Sequence, residues 1–328
     1  MSLWKKIRWL GEACFLVLGF LLIPLLPRCC VVGLAKLLGA GGYRFSRSLR
    51  KVALANLDIA FGESVDSARK QTIVRTSFYT FALVTLDLFW FSRFSERRIK
   101  RYIELDDSCY GNYLGHEGAH IGIAAHLGNW ELLGQVGSLM GEPIISVAAP
   151  LKNRFADVVL NKLRGMTGQL IQPTQGALRE LIKILKGGGR IALVMDQNTR
   201  PDRGGLFVEL FGLPVAVSKA AAFLATRTGA PLSMAYCVPI EKGRYRITVR
   251  PLFDLAGATI EDGTARVIKE IENVIREYPE RWLWMYKRWK HIPDDDNGER
   301  YPYYARESRE RRKQQGEGKS NIEHRSED

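Results

Sequence analysis

The sequence is organised around one central stretch, Ala124-Ala125-His126-Leu127-Gly128-Asn129-Trp130-Glu131-Leu132-Leu133-Gly134. The segment before the histidine, 119–125, is apolar and uncharged, and the segment 130–140 carries apolar residues at helical spacing. This pattern predicts a strand, a tight polar turn and then an amphipathic helix. A histidine and a carboxylate on the two sides of such a turn can face one pocket.

The pair His126 and Glu131 is the first candidate for chemistry. The imidazole can accept a proton from a substrate hydroxyl, while the Glu131 carboxylate orients the ring and stabilises its charged form. Asn129 occupies the position of a helix N-cap, so backbone N–H groups beside the pair could bind an oxyanion. A lone histidine at the end of an apolar strand can also be a structural residue, and the pattern alone leaves this alternative open.

The composition describes a folded protein with an anionic partner. The chain has 328 residues, of which 46% are hydrophobic, so it can bury a sizeable core in one large domain or two small ones. Lysine and arginine number 48 against 35 for aspartate and glutamate, a net charge of +13. Such a balance favours nucleic acid, an acidic membrane surface or an acidic protein as partner. The five cysteines show no metal or disulfide spacing, which favours a reducing compartment.

The N-terminal segment, residues 1–30, is interpreted as a membrane anchor. The basic start Lys5-Lys6-Ile7-Arg8 precedes an uncharged run at 13–27, and no small-residue cleavage site follows it. The run is shorter than the roughly 17–25 residues of a spanning helix, but flanking side chains that reach the interface make it marginally long enough. A buried core helix is the alternative. The basic residues that follow predict that the main body lies on the cytoplasmic side.

A long helix is predicted at 67–91, after a shorter basic one at 46–61, and its second half is strongly apolar. Core packing is the ordinary explanation for such a half. Beside a membrane anchor, it could also line a groove for an acyl chain or touch lipid.

Strand-like and helix-like segments alternate after the central stretch. Strands are predicted at 143–149, 169–172, 190–195, 232–239 and 245–252, and helices at 153–166, 174–186 (with Thr174 as N-cap), 218–228 and 260–278. The alternation predicts an α/β fold with a central sheet flanked by helices, over residues 31–293. The segment 294–328 is nearly all polar and charged, and it is predicted to be a solvated or disordered tail.

One motif predicts a different chemistry for the same histidine. The run His116-Glu117-Gly118-Ala119-His120 matches the H-E-x-x-H pattern of zinc proteases, and His126 lies where the extended motif has its third ligand. That motif needs a helix, and the three nearby glycines each disfavour one by about 1 kcal/mol relative to alanine. The extended form also needs glycine where this chain has Ile123. We therefore favour the acid–base interpretation of His126.

Three further segments can complete a site. Arg164, near the end of a predicted helix, can bind a phosphate or carboxylate. Asp196 and Gln197 follow the predicted strand 190–195, at an edge where α/β sheets usually place ligands. The segment Pro279-Glu280-Arg281-Trp282-Leu283-Trp284-Met285-Tyr286-Lys287-Arg288-Trp289-Lys290 interleaves aromatic and cationic residues. It suits a nucleic-acid surface or a membrane-interface helix, with a packed aromatic cluster as the alternative.

Together, these residues resemble the late acyltransferase family of lipid A biosynthesis, from the N-terminal hydrophobic segment to about Lys290. His126 and Glu131 match the family's catalytic H-x4-E pair, and Asp196-Gln197 matches its aspartate–glutamine signature. The other similar elements are Ala55-Asn56-Leu57-Asp58-Ile59-Ala60-Phe61, Arg164, Gly205-Leu206-Phe207-Val208-Glu209-Leu210-Phe211-Gly212-Leu213-Pro214 and the segment 279–290. The sequence departs from the family pattern at Val217, Arg281 and Tyr286, where the family tends to have threonine, glutamine and histidine.

The resemblance implies a membrane-anchored O-acyltransferase of the α/β type. Its expected reaction moves a fatty acyl chain from a thioester of acyl-carrier protein to a hydroxyl of a lipid A precursor, without a metal or organic cofactor. The implied residues are His126 and Glu131 for catalysis, and Arg164, Asp196, Gln197 and Asn129 for substrate binding. The expected location is the bacterial inner membrane, with the catalytic domain on the cytoplasmic side.

The expected partners are acyl-carrier protein, a phosphorylated glycolipid and the membrane, and not nucleic acid. One alternative is the same chemistry on another glycolipid or a phospholipid. Another is a non-enzymatic, membrane-tethered protein that binds lipid or nucleic acid through its C-terminal tryptophan/arginine segment. That second alternative leaves the arrangement of His126 and Glu131 without an explanation.

Overall fold

The N-terminal part of the chain is helical. The computed structural model describes residues 3–140, 145–148, 153–166, 168–173 and 176–310. Its first helices are α1 (Leu3–Leu22), α2 (Arg28–Phe45), α3 (Arg47–Phe61) and α4 (Ser67–Trp90). The Asp66 carboxylate caps α4 by accepting a hydrogen bond from the Arg69 N–H at 2.8 Å. Helices α2 and α4 pack against each other, and the two helices predicted at 46–61 and 67–91 are confirmed.

In the part of the chain that the structure describes, a seven-stranded sheet forms the centre of the protein. The strands of the described residues, including two that lie outside this sheet, are β1 (Ile103–Leu105), β2 (His120–Ala124), β3 (Ile145–Ala148), β4 (Leu170–Pro173), β5 (Arg190–Val194), β6 (Gly205–Leu210), β7 (Leu213–Ser218), β8 (Leu232–Pro239) and β9 (Tyr245–Val249). The sheet order is β1-β9-β8-β2-β5-β3-β4, while β6 and β7 form a separate antiparallel hairpin. The five strands from β8 to β4 are parallel, and β9 runs antiparallel to β8.

Helices flank this sheet, as the alternating sequence pattern predicts. They are α5 (Ser95–Tyr102), α6 (Asp107–Cys109), α7 (Trp130–Leu139), α8 (Arg154–Gly165), α9 (Ala177–Lys186), α10 (Ala220–Thr228) and α11 (Ile260–Glu277). Among their contacts are those of α7 with β8, α9 with β5 and α10 with β2. The predicted α/β class, with a central sheet between helices, is confirmed. Thr174, the predicted N-cap of α9, lies outside the described residues, and Gly176 precedes the helix.

The C-terminal boundary of the fold differs from the predicted one. Tyr301 and Tyr304 are 2% and 1% exposed, so both are part of the core. The Tyr301 hydroxyl donates to the Pro214 carbonyl at 2.9 Å, and the Tyr304 hydroxyl donates to Asn56 Oδ1. The prediction of a solvated tail from Asp294 onwards is therefore wrong for the buried part at 301–305, although most other residues between 294 and 310 are exposed. Residues 311–328 lie outside the described residues.

The helices give limited information about a membrane. In the described part of the chain, α4 is the helix that is long and apolar enough to span one, with a mean hydropathy of 1.2 over its most apolar window. That window is 61% buried inside the protein, as in the core helix of a soluble protein. Helix α1 occupies the region of the predicted anchor, and the anchor itself stays a prediction.

Candidate active site

His126 and Asp196 meet because they follow neighbouring parallel strands. In the pairing of β2 with β5, Ala124 lies opposite Val194, and the Met195 N–H donates to the Ala124 carbonyl at 2.9 Å. His126 and Asp196 each stand two residues beyond that pair. Since the carboxyl ends of parallel strands open at one edge of a sheet, the two side chains converge there.

Asp196 holds His126 through both its ring and its backbone. His126 Nδ1 lies 2.7 Å from Asp196 Oδ1, and the His126 N–H donates to Oδ2 at 3.1 Å. The Trp282 indole N–H also donates to Oδ2 at 2.7 Å, and an Arg288 nitrogen lies 3.2 Å from it. Burial alone raises the pKa of Asp196, but the charges of His126 and Arg288 and the hydrogen bonds hold it below its ordinary value. An ionised carboxylate at Nδ1 requires a proton there, which leaves Nε2 of the neutral ring as the acceptor.

Glu131 has a partner other than the predicted one. Its carboxylate accepts hydrogen bonds from Arg164 Nε at 2.8 Å and Nη2 at 2.7 Å, and from Trp130 Nε1 at 3.1 Å. The prediction that Glu131 orients the His126 ring is therefore wrong, since Asp196 does so. Glu131 and Arg164, predicted for separate roles, form one bidentate ion pair. Burial alone lowers the pKa of Arg164, but its bonds to Glu131 raise it above the ordinary value.

Gln197 and Trp130 lie at the outer side of the imidazole. The Gln197 amide nitrogen is 3.0 Å from His126 Nε2 and donates to it. The Trp130 ring packs against the His126 ring at a centroid distance of 4.9 Å. The His126 side chain keeps 17% of its surface exposed. A substrate hydroxyl that replaces the Gln197 amide would therefore reach Nε2.

Asn129 caps helix α7, as predicted, but it is enclosed. Its Oδ1 accepts from the Leu132 N–H at 3.3 Å, and its own backbone N–H donates to the Cys237 carbonyl at 2.7 Å. Its Nδ2 donates to Asp87 Oδ2 at 3.2 Å, and the residue is fully buried. The assignment of Asn129 to substrate binding is therefore corrected to a structural role.

The turn before Asn129 needs glycine for two reasons. Gly128 has a φ of +59°, a backbone conformation that residues with a β-carbon rarely adopt. A Cβ at this position would also lie 2.0 Å from the Cys237 carbonyl oxygen, which strand β8 brings against the turn. The Gly128 N–H donates to the Arg281 carbonyl at 2.9 Å. The turn that carries the site is thus fixed from two sides.

A buried cluster around Asp87 connects this turn to the N-terminal helices. Besides Asn129, the Asp87 carboxylate accepts hydrogen bonds from the Tyr245 hydroxyl and from the Arg28 guanidinium, whose Nη2 lies at 3.0 Å. Arg28 Nε also donates to the Gly243 carbonyl at 2.8 Å. All four side chains of the cluster are buried. Sequence reasoning did not single out this cluster, because its members are far apart in the chain.

The C-terminal aromatic segment is part of the core. Trp282, Trp284 and Trp289 are at most 1% exposed, so the packed aromatic cluster is the confirmed interpretation. The three tryptophans are therefore not available to stack on bases, and the segment 282–290 does not form the membrane-interface helix that was considered for it. Trp282 and Arg288, both bound to Asp196, are site residues that the sequence left unassigned. The interleaving of aromatic and cationic residues was the signal for them.

An apolar cavity of about 140 Å³ begins beside the site and lies between α7 and the sheet. Trp130, Glu131 and Arg164 are among the residues that line it. Small residues on α7 and on the strands are among its lining, namely Gly122, Gly134, Gly137, Ala192 and Ala235. A narrow apolar space of this kind suits a hydrocarbon chain.

The alternative zinc motif does not form its required helix. His120 begins β2, is fully buried and has its Nε2 2.8 Å from Ser233 Oγ. His126 is bonded to Asp196 instead. Within the described ranges, no three histidine, cysteine, aspartate or glutamate side chains are grouped so that they could hold a metal ion.

An imidazole oriented by a buried carboxylate can act as a general base, and the apolar cavity beside it suits an acyl chain, so the site fits the acyl-transfer class. Comparison with known families agrees with this chemistry. The sequence profile of the bacterial lipid A biosynthesis acyltransferases matches residues 2–291, and the chain belongs to this family. The protein is therefore an acyltransferase, and its family implies an acyl donor and a lipid A-type glycolipid acceptor.

Individual relatives are similar at low identity. The chain is 27% identical over 299 residues to the lipid A biosynthesis lauroyltransferase of Escherichia coli K12, which covers 87% of this chain and 92% of the relative. It is 23% identical over 272 residues to the palmitoleoyltransferase of the same organism, covering 81% and 86%. Among solved structures, the 1-acyl-sn-glycerophosphate acyltransferase of Thermotoga maritima is 18% identical to this chain. The match covers 70% of this chain and 94% of the Thermotoga chain. Its TM-score of 0.33 is too low to establish a shared fold.

Proposed function

We propose that the protein is a membrane-anchored O-acyltransferase that transfers a fatty acyl chain from acyl-carrier protein to a hydroxyl of a lipid A precursor. The observation that carries this proposal is the contact of 2.7 Å between His126 Nδ1 and Asp196 Oδ1. This contact leaves Nε2 available as a base at the carboxyl ends of the strands. Membership of the lipid A acyltransferase family supports the reaction type and the class of acceptor.

The reaction proceeds by general-base catalysis in this proposal. The acceptor hydroxyl displaces the Gln197 amide and gives its proton to His126 Nε2, while its oxygen attacks the thioester carbonyl carbon. The C–O bond forms, the C–S bond then breaks, and the imidazolium returns the proton to the leaving thiolate. Asp196 stabilises the imidazolium between these steps. A base of this kind contributes about 10²–10⁴-fold to the rate.

Glu131 and Arg164 act together at the end of the cavity. The bidentate pair uses Nε and Nη2 of Arg164 and leaves the third guanidinium nitrogen outside it. We assign Arg164 to substrate binding, with its charge available to the developing oxyanion. Glu131 then serves as a positioning residue, because it fixes the arginine. Glu131 lies in the first turn of α7. The backbone N–H groups at this helix N-terminus are partially positive, as the Arg164 guanidinium is, and could also stabilise the oxyanion.

The cavity under α7 holds the acyl chain of the donor. Its lining is mostly apolar, and the reacting carbonyl would lie at the end formed by Trp130, Glu131 and Arg164. The relatives are named as lauroyl and palmitoleoyl transferases, which are enzymes for chains of this class. The packing of Trp130 against His126 joins this end of the cavity to the base.

The membrane anchor and the donor are further parts of the proposal. Residues 1–30, with α1, would hold the catalytic domain at the cytoplasmic face of the bacterial inner membrane. The net charge of +13 would attract anionic lipid and an acidic carrier protein. Coenzyme A is also anionic, but its use would not need a protein-sized basic surface.

Transfer assays with purified full-length protein test this function. A phosphorylated lipid A precursor is offered with acyl-carrier-protein or coenzyme A thioesters of the same chain, at low and moderate salt. We expect the carrier-protein thioester to give the higher kcat/KM and the steeper loss with salt, because salt screens protein–protein attraction. His126→Ala should abolish transfer while the far-ultraviolet circular dichroism is unchanged.

Three outcomes would contradict parts of the proposal. Equal use of both donors, with equal salt dependence, would remove the carrier protein from it. Transfer to a lysophospholipid but not to the glycolipid would change the acceptor. Full activity of His126→Ala would show that His126 is not the general base.

A further inference from the structure

A second apolar cavity, here called the helical groove, opens among the N-terminal helices. Its volume is about 770 Å³, and it is lined by α1, α2, α3, α4 and part of the C-terminal aromatic segment. Residues from each part of its wall are Leu22, Leu38, Leu49, Phe81, Thr85 and Tyr286. The proposed mechanism gives this groove no role.

The groove is open to the surroundings. Leu22, Leu38 and Phe81 are 55%, 46% and 45% exposed, although all three are large and apolar. A contiguous apolar surface of this kind is unfavourable in water and marks a site for lipid, ligand or partner. The occupant must therefore be hydrophobic.

The inner wall of the groove belongs to the segments that hold the catalytic histidine. Leu283 lines the groove, and its backbone N–H donates to the His126 carbonyl at 3.0 Å. Tyr286 also lines it, and its hydroxyl accepts from the Asn198 N–H at 3.3 Å. Asn198 is two residues beyond Asp196. The wall of the groove is thus hydrogen-bonded to the His126 backbone and to the segment that follows Asp196.

The helical groove and the cavity under α7 are separate. Among the described residues, no side chain lines both. A transfer between two lipids has to place two hydrocarbon chains, one from the donor and one that already belongs to the acceptor. The described residues form an apolar space for each chain. Trp130 of the cavity under α7 packs against the His126 ring, and Leu283 of the helical groove donates to the His126 backbone carbonyl.

Exposed cations flank the groove where α2 meets α3. Ser46 lines it, and the exposed Arg44 and Arg47 are close neighbours of Ser46 in the chain. Arginine binds phosphate strongly through its planar fork of donors. A phosphorylated lipid whose chain enters the groove would find cations beside its headgroup.

We propose that the helical groove binds the hydroxyacyl chain of the phosphorylated glycolipid acceptor and presents its hydroxyl to His126. This inference rests on the proposed function, since it assigns a binding site to the acceptor of that same reaction. It commits the groove to the acceptor and the cavity under α7 to the donor. A groove occupied only by bulk membrane lipid is the competing outcome.

A matched pair of threonine variants on α4 tests the assignment. Thr85 lines the groove and donates to the Phe81 carbonyl at 2.9 Å, whereas Thr72 is exposed, lies outside the groove and donates to the Ala68 carbonyl at 3.1 Å. Thr85→Trp fills the groove, and Thr72→Trp adds the same side chain elsewhere on the helix. Acceptors with short, medium and long hydroxyacyl chains are compared in mixed detergent micelles at one mole fraction.

For the wild type and Thr72→Trp, we expect the acceptor KM to change several-fold with the length of the hydroxyacyl chain, because the groove accommodates a chain of limited length. Thr85→Trp should lose most of this dependence and keep the donor KM. An unchanged dependence in Thr85→Trp would overturn the groove assignment and leave the proposed function intact. Absence of transfer by the wild type at every chain length would instead contradict the proposed function.

Photolabelling gives a second test that needs no variant. An acceptor that carries a diazirine in its hydroxyacyl chain is irradiated with the wild-type protein, and the modified peptides are identified by mass spectrometry. Adducts are expected on peptides that contain Leu38 or Phe81, and excess unlabelled acceptor should suppress them. Adducts confined to α7 and the strands beneath it, or no suppression by the acceptor, would overturn the assignment.

Discussion

The His126 imidazole and the Asp196 carboxylate lie 2.7 Å apart, although seventy residues separate them in the chain. Their meeting depends on the parallel register of β2 and β5, which places Ala124 opposite Val194. The local spacing from His126 to Glu131 is a separate feature, since Glu131 binds Arg164. Two hydrogen-bonded pairs, and not one, therefore flank the start of α7.

The first prediction concerns Asp196. Asp196→Asn is expected to lower kcat by about 10³–10⁴-fold, because an amide can neither select the Nδ1–H tautomer nor stabilise the imidazolium. The measurement is the transfer rate at saturating substrates, with thermal unfolding as a check on the fold. Asp202→Asn is the control, since Asp202 is exposed and pairs with Arg200. Near-normal kcat in Asp196→Asn would assign the carboxylate a packing role only.

The second prediction concerns the pair of Glu131 and Arg164. Glu131→Gln and Arg164→Met should each reduce kcat, and the double variant should be no worse than the poorer single one. In urea unfolding, the cycle should give an interaction free energy of about 1–3 kcal/mol, as for side chains in direct contact. Simple additivity of the two changes in both measurements would show that the two residues act independently.

The third prediction is a loss of stability in acid that arises from His120. Burial, with smaller effects of the His116 and Arg190 charges, lowers the pKa of His120 to about 3. In the unfolded chain the pKa returns to its ordinary value of 6.5. Between these values the unfolded state binds a proton that the folded state does not. The free energy of unfolding therefore falls as pH is lowered through this window, by up to about 1.4 kcal/mol per pH unit.

Urea unfolding near neutral pH and in mild acid measures this effect. His120→Asn should flatten the dependence of the unfolding midpoint on pH, whereas His116→Asn should keep it. If the wild type and His120→Asn lost stability equally in acid, another group would be responsible.

The fourth prediction concerns the buried cluster around Asp87. Arg28→Met removes the cation and leaves the Asp87 carboxylate buried without its partner, which typically costs about 3–5 kcal/mol. Arg44→Met on the same helix changes an exposed arginine and should have little effect on thermal unfolding. Equal melting temperatures for the two variants would mean that Asp87 is adequately stabilised by Tyr245 and Asn129.

Local patterns in the sequence predicted most of the fold. The apolar run before the Gly128-Asn129 turn, the helical spacing after it and the apolar run at 190–195 predicted β2, α7 and β5, because burial and turn geometry act over a few residues. The tail from Asp294 was predicted incorrectly, since its many charges concealed the tyrosines that fill the core. For the site, the sequence predicted His126, Glu131, Arg164, Asp196 and Gln197 as candidates, but not their pairing. Pairing depends on strand register, which no local pattern contains.

The contacts of Asp87 have a mechanical consequence. Arg28 of α2 and Asp87 of α4 bind each other, and Asp87 also binds Asn129 beside the catalytic turn. These contacts connect α2 and α4, two of the helices that line the groove, to the turn that carries the base. If those helices enter a bilayer, the depth of their immersion sets the height of the imidazole above the hydrocarbon. The bilayer would then fix the distance of the base from the hydrocarbon. A hydroxyl on a lipid chain would be selected by its depth in the membrane as well as by its chemistry.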